Sequence, residues 1–175
     1  AMPTGAETKA FLADTNPGKR AALVDKLLER EEFVDYLSLK WGDLLRIKSE
    51  FPSNLWPNAV QAYNRWIRDA IASNMPYDRF VAELLTSSGS NFRDPPVNFF
   101  RAIPGKDPAS VAGAVSLAFL GARYESWPED IRRGMAGFFS RVAYKKTLEW
   151  KEEIVYPDPR PLDGAGAAAG GGGGG

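Results

Sequence analysis

Apolar residues recur at the three- and four-residue spacing of an α-helix in one segment after another, and that period limits what the chain can fold into more than any single motif does. Phe33, Leu37, Trp41, Leu44 and Leu45 form one stripe, Val60, Tyr63, Ile67, Ala70 and Ile71 a second, and Phe80, Val81, Leu84 and Leu85 a third. Leu23, Val24, Leu27 and Leu28 give an earlier helix its buried face. The strongest signal is Ile131, Met135, Phe138, Phe139 and Val142, at i, i+4, i+7, i+8 and i+11. Val111, Val115 and Ala118, with Ala112, Gly113 and Ala114 between them, describe a helix whose small residues let neighbours approach closely, and it should be central.

Helix boundaries are marked as well. Thr4 with Glu7, and Ser126 with Glu129, read as capping boxes; Asn16-Pro17 and Asp107-Pro108 read as an N-cap followed by proline at the first helical position. Phe51-Pro52-Ser53-Asn54 and Ser73-Asn74-Met75-Pro76 are stops. Residues 87–106 are rich in Gly, Pro, Ser and Asn, which predicts a long irregular polar loop with one helical turn near 97–101. Beyond 146 a short extended stretch over 149–156 leads into Pro157-Asp158-Pro159-Arg160-Pro161, which cannot be helix.

The expectation is an all-α fold, an irregular bundle of about six or seven helices with a long polar loop and an extended tail. Residues 1–146 form the helical domain, 147–163 an extended Pro-rich segment that packs on it or leaves it, and 164–175 a tail of only Gly and Ala whose side-chain identities read as unassigned.

Composition removes several functions. The 22 basic residues balance 22 acidic ones, so the excess of cations that a phosphate-tracking surface needs is missing and nucleic acid is not an expected partner. There is no Cys and no His, which rules out covalent haem, a zinc site of the usual kind and imidazole or thiol catalysis; only Met2, Met75 and Met135 remain as sulfur donors. No cofactor or metal site is expected. The longest apolar run, 111–121, is too short to span a bilayer. The opening Ala1-Met2-Pro3-Thr4 lacks the basic and apolar parts of a signal peptide and reads like the middle of a domain, leaving room for a signal or lipid anchor before it.

Positive signs of catalysis are weak. Neither Ser-x-x-Lys nor Gly-x-Ser-x-Gly occurs, and Gly105-Lys106 lacks the rest of a P-loop. Glu125, Glu129 and Asp130 lie beside Tyr124 and Trp127, a pairing suited to sugars, yet the first turn of a helix favours negative charge without any substrate. Trp41 and Trp66 sit on core stripes. Trp56 and Trp127 each precede a proline at a helix entrance, where the ring either staples the incoming chain or stays exposed for a partner. The mixed charges of Arg65, Arg68, Arg79 and Arg132 with their acidic neighbours read as solvated faces.

The order of short motifs carries a resemblance. Ala10-Phe11-Leu12-Ala13-Asp14, Leu23-Val24-Asp25-Lys26-Leu27-Leu28 and Trp41-Gly42-Asp43-Leu44-Leu45-Arg46 are followed by Pro76-Tyr77-Asp78-Arg79-Phe80-Val81, the most specific piece, and by Asn91-Phe92. Phe119-Leu120-Gly121-Ala122-Arg123, Gly137-Phe138-Phe139-Ser140-Arg141-Val142 and Pro159-Arg160-Pro161-Leu162-Asp163-Gly164 complete it. From Pro3 to Gly164 the chain resembles the domain of unknown function 1549 family, which the resemblance associates with exported proteins of planctomycetes and related bacteria, often beside c-type cytochrome domains. Two places depart from the family pattern. Where members carry a Cys-x-x-Cys-His segment this chain has only Tyr124-Glu125-Ser126, and Glu83-Leu84-Leu85-Thr86-Ser87-Ser88 replaces a Gln-Leu-Ala-Gly-Asp pattern.

Taken with the missing ligands, the resemblance implies a non-catalytic interaction module. It would be an extrinsic accessory subunit on a larger bacterial membrane electron-transfer assembly, periplasmic or otherwise exported, with other protein subunits as partners. The alternative is a carbohydrate-binding or carbohydrate-active domain. Candidate partner-binding residues are Trp56, Asn91, Phe92, Arg93, Tyr124, Glu125 and Trp127, and the 87–106 loop and the tail should lie at contacts.

Overall fold

A computed structural model describes residues 2–48 and 57–160. Helix α1 (Gly5–Ala13) opens on the predicted capping box: the Glu7 amide donates to Thr4 Oγ1 at 3.2 Å, and the Thr4 amide donates to Glu7 Oε2 at 2.7 Å. The Thr4 backbone bond, aided by Arg30, holds the Glu7 carboxyl down at about 2. Lys19 Nζ closes the other end by donating to the carbonyls of Phe11 and Asp14.

Helix α2 (Lys19–Leu28) begins two residues later than Asn16-Pro17 suggested, with Gly18 as its cap; Asn16 Oδ1 instead turns back to accept the Gly18 amide at 2.8 Å. Its stripe is real but not buried. Val24, Leu27 and Leu28 are exposed because the helix sits outside the pair formed by α3 (Glu31–Leu44) and α4 (Pro57–Ala72), and no residue of α1 or α2 is fully buried.

On α3 the predicted stripe reaches the core through Trp41 and ends on buried Leu45, while Leu44 is exposed. The helix stops there in a Schellman motif. The Ile47 amide donates to the Gly42 carbonyl at 2.8 Å and the Arg46 amide to Asp43, which puts Arg46 in the left-handed region at φ 57. Asn74 does the same after α4, at φ 50. The predicted stop at residues 51–54 lies outside the described residues. Arg68 ties the two helices together through Glu31 and Asp35. Helix α5 (Tyr77–Leu85) contributes Phe80, whose ring lies 5.1 Å from both Trp41 and Trp66; the most specific sequence motif thus delivers an aromatic wedge to the core.

Residues 87–106 are not a loose polar loop. They form strand β1 (Gly89–Ser90), a 3-10 turn (Pro95–Val97) and helix α6 (Asn98–Ala102), and they bury Asn91, Val97, Asn98, Phe99, Phe100 and Ile103. The polar residues are consumed internally: Asn98 Nδ2 donates to the carbonyls of Asn91 at 2.9 Å and Pro95 at 3.0 Å. Helix α7 (Pro108–Leu120) starts as predicted, the Ser110 amide donating to Asp107 Oδ1 at 3.0 Å, and it buries Val111, Ala112, Val115 and Ser116.

The largest departure follows α7. Ser126 caps nothing; its hydroxyl donates to the Arg123 carbonyl and closes a 3-10 turn (Tyr124–Ser126), and Pro128 precedes α8 (Glu129–Gly137) without a side-chain cap. The helix then ends five residues before Val142. Two glycines weaken its last turns, Phe138 is left 82 % exposed, and Val142 begins strand β2 (Val142–Lys146). Strand β3 (Glu153–Pro157) lies between β2 and β1 in an antiparallel sheet of order β1-β3-β2, with Val142 opposite Pro157 and Gly89 opposite Val155. The fold is therefore mostly helical, eight α-helices among the described residues, and not all-α: a small sheet closes one side of the core, and Val155 at its centre is buried among Phe100 and its neighbours. No described helix is long and apolar enough to cross a membrane.

Candidate functional site

Two places concentrate polar chemistry. The first is the sheet. Asn91 is fully buried, with its amide on the Glu153 carbonyl at 3.2 Å and its side-chain oxygen accepting the Glu153 amide at 2.9 Å. The Glu153 side chain is 12 % exposed and accepts from Arg101 Nε at 3.0 Å and Lys106 Nζ at 2.6 Å. Burial alone would raise that carboxyl, but Lys106 and Arg101 outweigh it and hold it below the ordinary range. Lys106 also stands 4.2 Å over the Tyr144 ring, whose buried hydroxyl has no hydrogen-bond partner among the described residues and is pushed up to about 12, first by burial and then by Glu153 and Asp107. Glu152 is held low by Ser90, whose hydroxyl donates to it at 2.5 Å, and by Thr147 at 2.7 Å. Each of these charges already has its partner, so the network reads as sheet architecture.

The second place is a cleft where the end of α3 meets α7 and the 3-10 turn at Tyr124. It encloses about 420 Å³, with Arg46, Ser110, Leu117, Arg123, Tyr124 and Glu125 among its walls. A smaller chamber of about 180 Å³ adjoins it and shares Arg46, Ile103, Ala114 and Leu117. Its floor is apolar, supplied by the small-residue face of α7. Gly105 allows that wall to form: a Cβ there would meet Ser110 Oγ at 2.1 Å, so the linker could not lie against the first turn of α7. Leu44 and Leu117 are exposed at the rim. Neither Arg46 nor Arg123 has an ion-pair partner among the described residues.

The nearest hydroxyl and carboxylate pair, Ser110 and Asp107, serves as the helix cap; Ser110 donates to Asp107 Oδ2 at 2.6 Å and its bonds hold the Asp107 carboxyl low, which makes a poor general base. Glu125 is the carboxylate among the residues lining the cleft, and Asp43 the one among those lining the adjoining chamber. No cluster of three or more metal-ligating side chains occurs among the described residues.

The sequence-derived candidates scatter over these places. Trp56 lies outside the described residues. Asn91 is a buried structural bracket, Phe92 is half-buried beside it, and Arg93 is exposed. Tyr124 and Glu125 reach the cleft, but the Tyr124 hydroxyl is spent on the Arg132 carbonyl at 2.7 Å. Trp127 packs on Tyr124, ring centroids 6.1 Å apart, and does not line the cavity. Arg46, Leu117 and Arg123 escaped sequence reasoning. Arg46 follows a plain helical stripe, and nothing in its neighbours announces a left-handed residue.

A family model described as PSCyt2, protein of unknown function (DUF1549), matches residues 1–122. The match takes in α1 through α7, including the Arg46 and Leu117 walls of the cleft, and stops short of Tyr124 and of strands β2 and β3. No curated protein and no solved structure matches the chain.

Proposed function

The chain belongs to the family of proteins of unknown function DUF1549, and we propose that this member is a non-catalytic interaction module: an extrinsic accessory subunit that stabilises a larger bacterial membrane electron-transfer assembly from the periplasmic side. The observation that carries this reading is the cleft between α3 and α7, with its apolar floor, exposed Leu44 and Leu117 at the rim, and two guanidinium groups without ion-pair partners among the described residues. Its complement is a partner-protein segment bearing apolar side chains and at least one carboxylate, which the planar fork of Arg46 or Arg123 can take bidentately. A chain without imidazole or thiol has little else to offer such a partner. The periplasmic, cytochrome-containing setting comes from the family resemblance.

Isolation of the native assembly through a tag on this chain tests the reading. Protein subunits should co-purify, and Leu117→Arg or Arg46→Glu should release them without lowering thermal stability. Recovery of the wild-type chain only as a free monomer would count decisively against it. The carbohydrate-binding alternative keeps one supporting observation, that Tyr124 and Glu125 share the cleft; a glycan array without binding removes it.

A further inference from the structure

The chamber beside the α3–α7 cleft is a gap left where three helices meet. Leu45 closes it from the end of α3, and Phe99 and Ile103 from α6 and the residue behind it; all three are buried. Where larger side chains would fill the space, the walls carry Ala102, Ala114 and Ala118. Leu44 and Leu117 line it while remaining exposed, so it opens to solvent. The space measures about 180 Å³, and an apolar cavity of about 150 Å³ already takes up benzene. Asp43 and Arg46 are the polar side chains among its lining residues, so water held there forgoes hydrogen bonds and an apolar group replaces it with a gain.

Net charge does not choose the occupant, because the walls are balanced: Arg46 and Arg123 stand against Glu125 and Asp43, and Asp107 caps α7 beside the lining residue Ser110. Such walls disfavour a run of like charges and suit a group bringing one carboxylate together with N–H donors. Arg46 lines both the cleft and the chamber, which puts a carboxylate on its guanidinium next to whatever side chain fills the chamber. In an extended segment neighbouring side chains point to opposite faces, so an internal acid adjacent to the buried residue points away from Arg46. A chain terminus has no such conflict. Its carboxylate and its side chain leave the same carbon, and its amide N–H is a donor for Glu125 or Asp43. We propose that the chamber is an anchor pocket for the C-terminal residue of a partner chain, a medium-sized apolar one such as leucine, with the terminal carboxylate on Arg46. The inference rests on the protein-docking reading of the cleft, and it makes Ala114 and Ala118 the residues that set which side chain is admitted.

The test is titration of the full ¹⁵N-labelled chain with N-acetyl-leucine, followed by nuclear magnetic resonance. The amide signals of Ala102, Ala114 and Leu117 should shift saturably. N-acetyl-alanine should bind about sixtyfold more weakly, at about fourfold for each of three missing carbons. N-acetyl-leucinamide, without the charge, should bind about tenfold more weakly, and Arg46→Gln should erase that difference between acid and amide. Ala114→Leu fills the chamber from within; it should keep or raise the unfolding midpoint and lose N-acetyl-leucine binding. No saturable shift at those three residues, equal binding of the leucine and alanine derivatives, or undiminished binding by a folded Ala114→Leu would overturn the proposal. In tagged purification of the native assembly, Ala114→Leu should release the same subunits as Leu117→Arg. Release by Leu117→Arg but not by Ala114→Leu would leave the cleft a docking site and refute the anchor, whereas release by neither would refute the docking reading itself.

Discussion

The side-chain oxygen of Asn91 accepts the Glu153 amide at 2.9 Å, standing in for a strand carbonyl that has turned away. The Asn91 carbonyl itself is occupied by Asn98 Nδ2, so β1 would run out after Ser90 without this substitution; the bond from the Asn91 amide to the Glu153 carbonyl then extends the ladder by one residue. A buried asparagine thus couples the polar segment before α6 to the middle strand of the sheet.

Asn91→Ala leaves the Glu153 amide and the Lys151 carbonyl without their side-chain partner. The expected loss is about 2–3 kcal/mol of unfolding free energy in urea titration, with helical circular dichroism little changed. A loss under about 0.5 kcal/mol would show that water replaces the amide at no cost.

Glu153→Gln should cost about 3 kcal/mol, because Arg101, itself 13 % exposed at its side chain, would keep a charge without its carboxylate. The pH dependence has a definite sign. The folded-state value lies below the unfolded one, so the unfolded chain binds more protons between the two; this stabilisation is complete above about pH 5 and disappears as pH falls through the folded value. Glu7 adds a parallel term that is lost progressively as pH falls from the ordinary glutamate range toward about 2. Thermal melts from pH 7 to pH 2 should show a shallower acid decline in Glu153→Gln than in wild type.

Arg46→Gly should raise stability while weakening partner capture. A side chain at φ 57 costs about 1 kcal/mol relative to glycine, and the glycine variant recovers part of that at the C′ position of α3. The same change removes one of the two cleft guanidinium groups. A higher melting temperature together with lost co-purification would identify Arg46 as a position where stability is given up for contact.

Truncations should separate the buried core from the outer helices. Leu84→Ala, at a fully buried position of α5, should cost about 2–5 kcal/mol, whereas Leu27→Ala on α2, an exposed position, should cost under about 1 kcal/mol. Equal losses at both sites would show that α2 is covered in solution.

What the sequence disclosed followed local physics. The Thr4 box, the Asp107 cap, the α4 stripe and Phe80 each depend on residues within a few positions of one another, and each was readable. What it concealed was non-local. Phe138, Phe139 and Val142 fit a helical period, but the period continues on paper past Gly137, where the backbone turns to pair with residues 153–157. The 87–106 segment looked solvated because Asn91 and Asn98 are polar; whether such groups face water or the backbone of a distant strand is not written in their neighbours. For the same reason Tyr124 and Glu125 could be placed near a site while Arg46, far away in sequence, could not.

Strand β3 has a temporal consequence through its place in the middle of the sheet. Glu153 follows Asn91 by 62 residues, so at about 5–20 residues per second the ribosome needs about 3–12 s after making Asn91 to supply its partner. During that interval the nascent helices can form, but Phe99 and Phe100 wait beside an unfinished edge, a natural landing site for a chaperone.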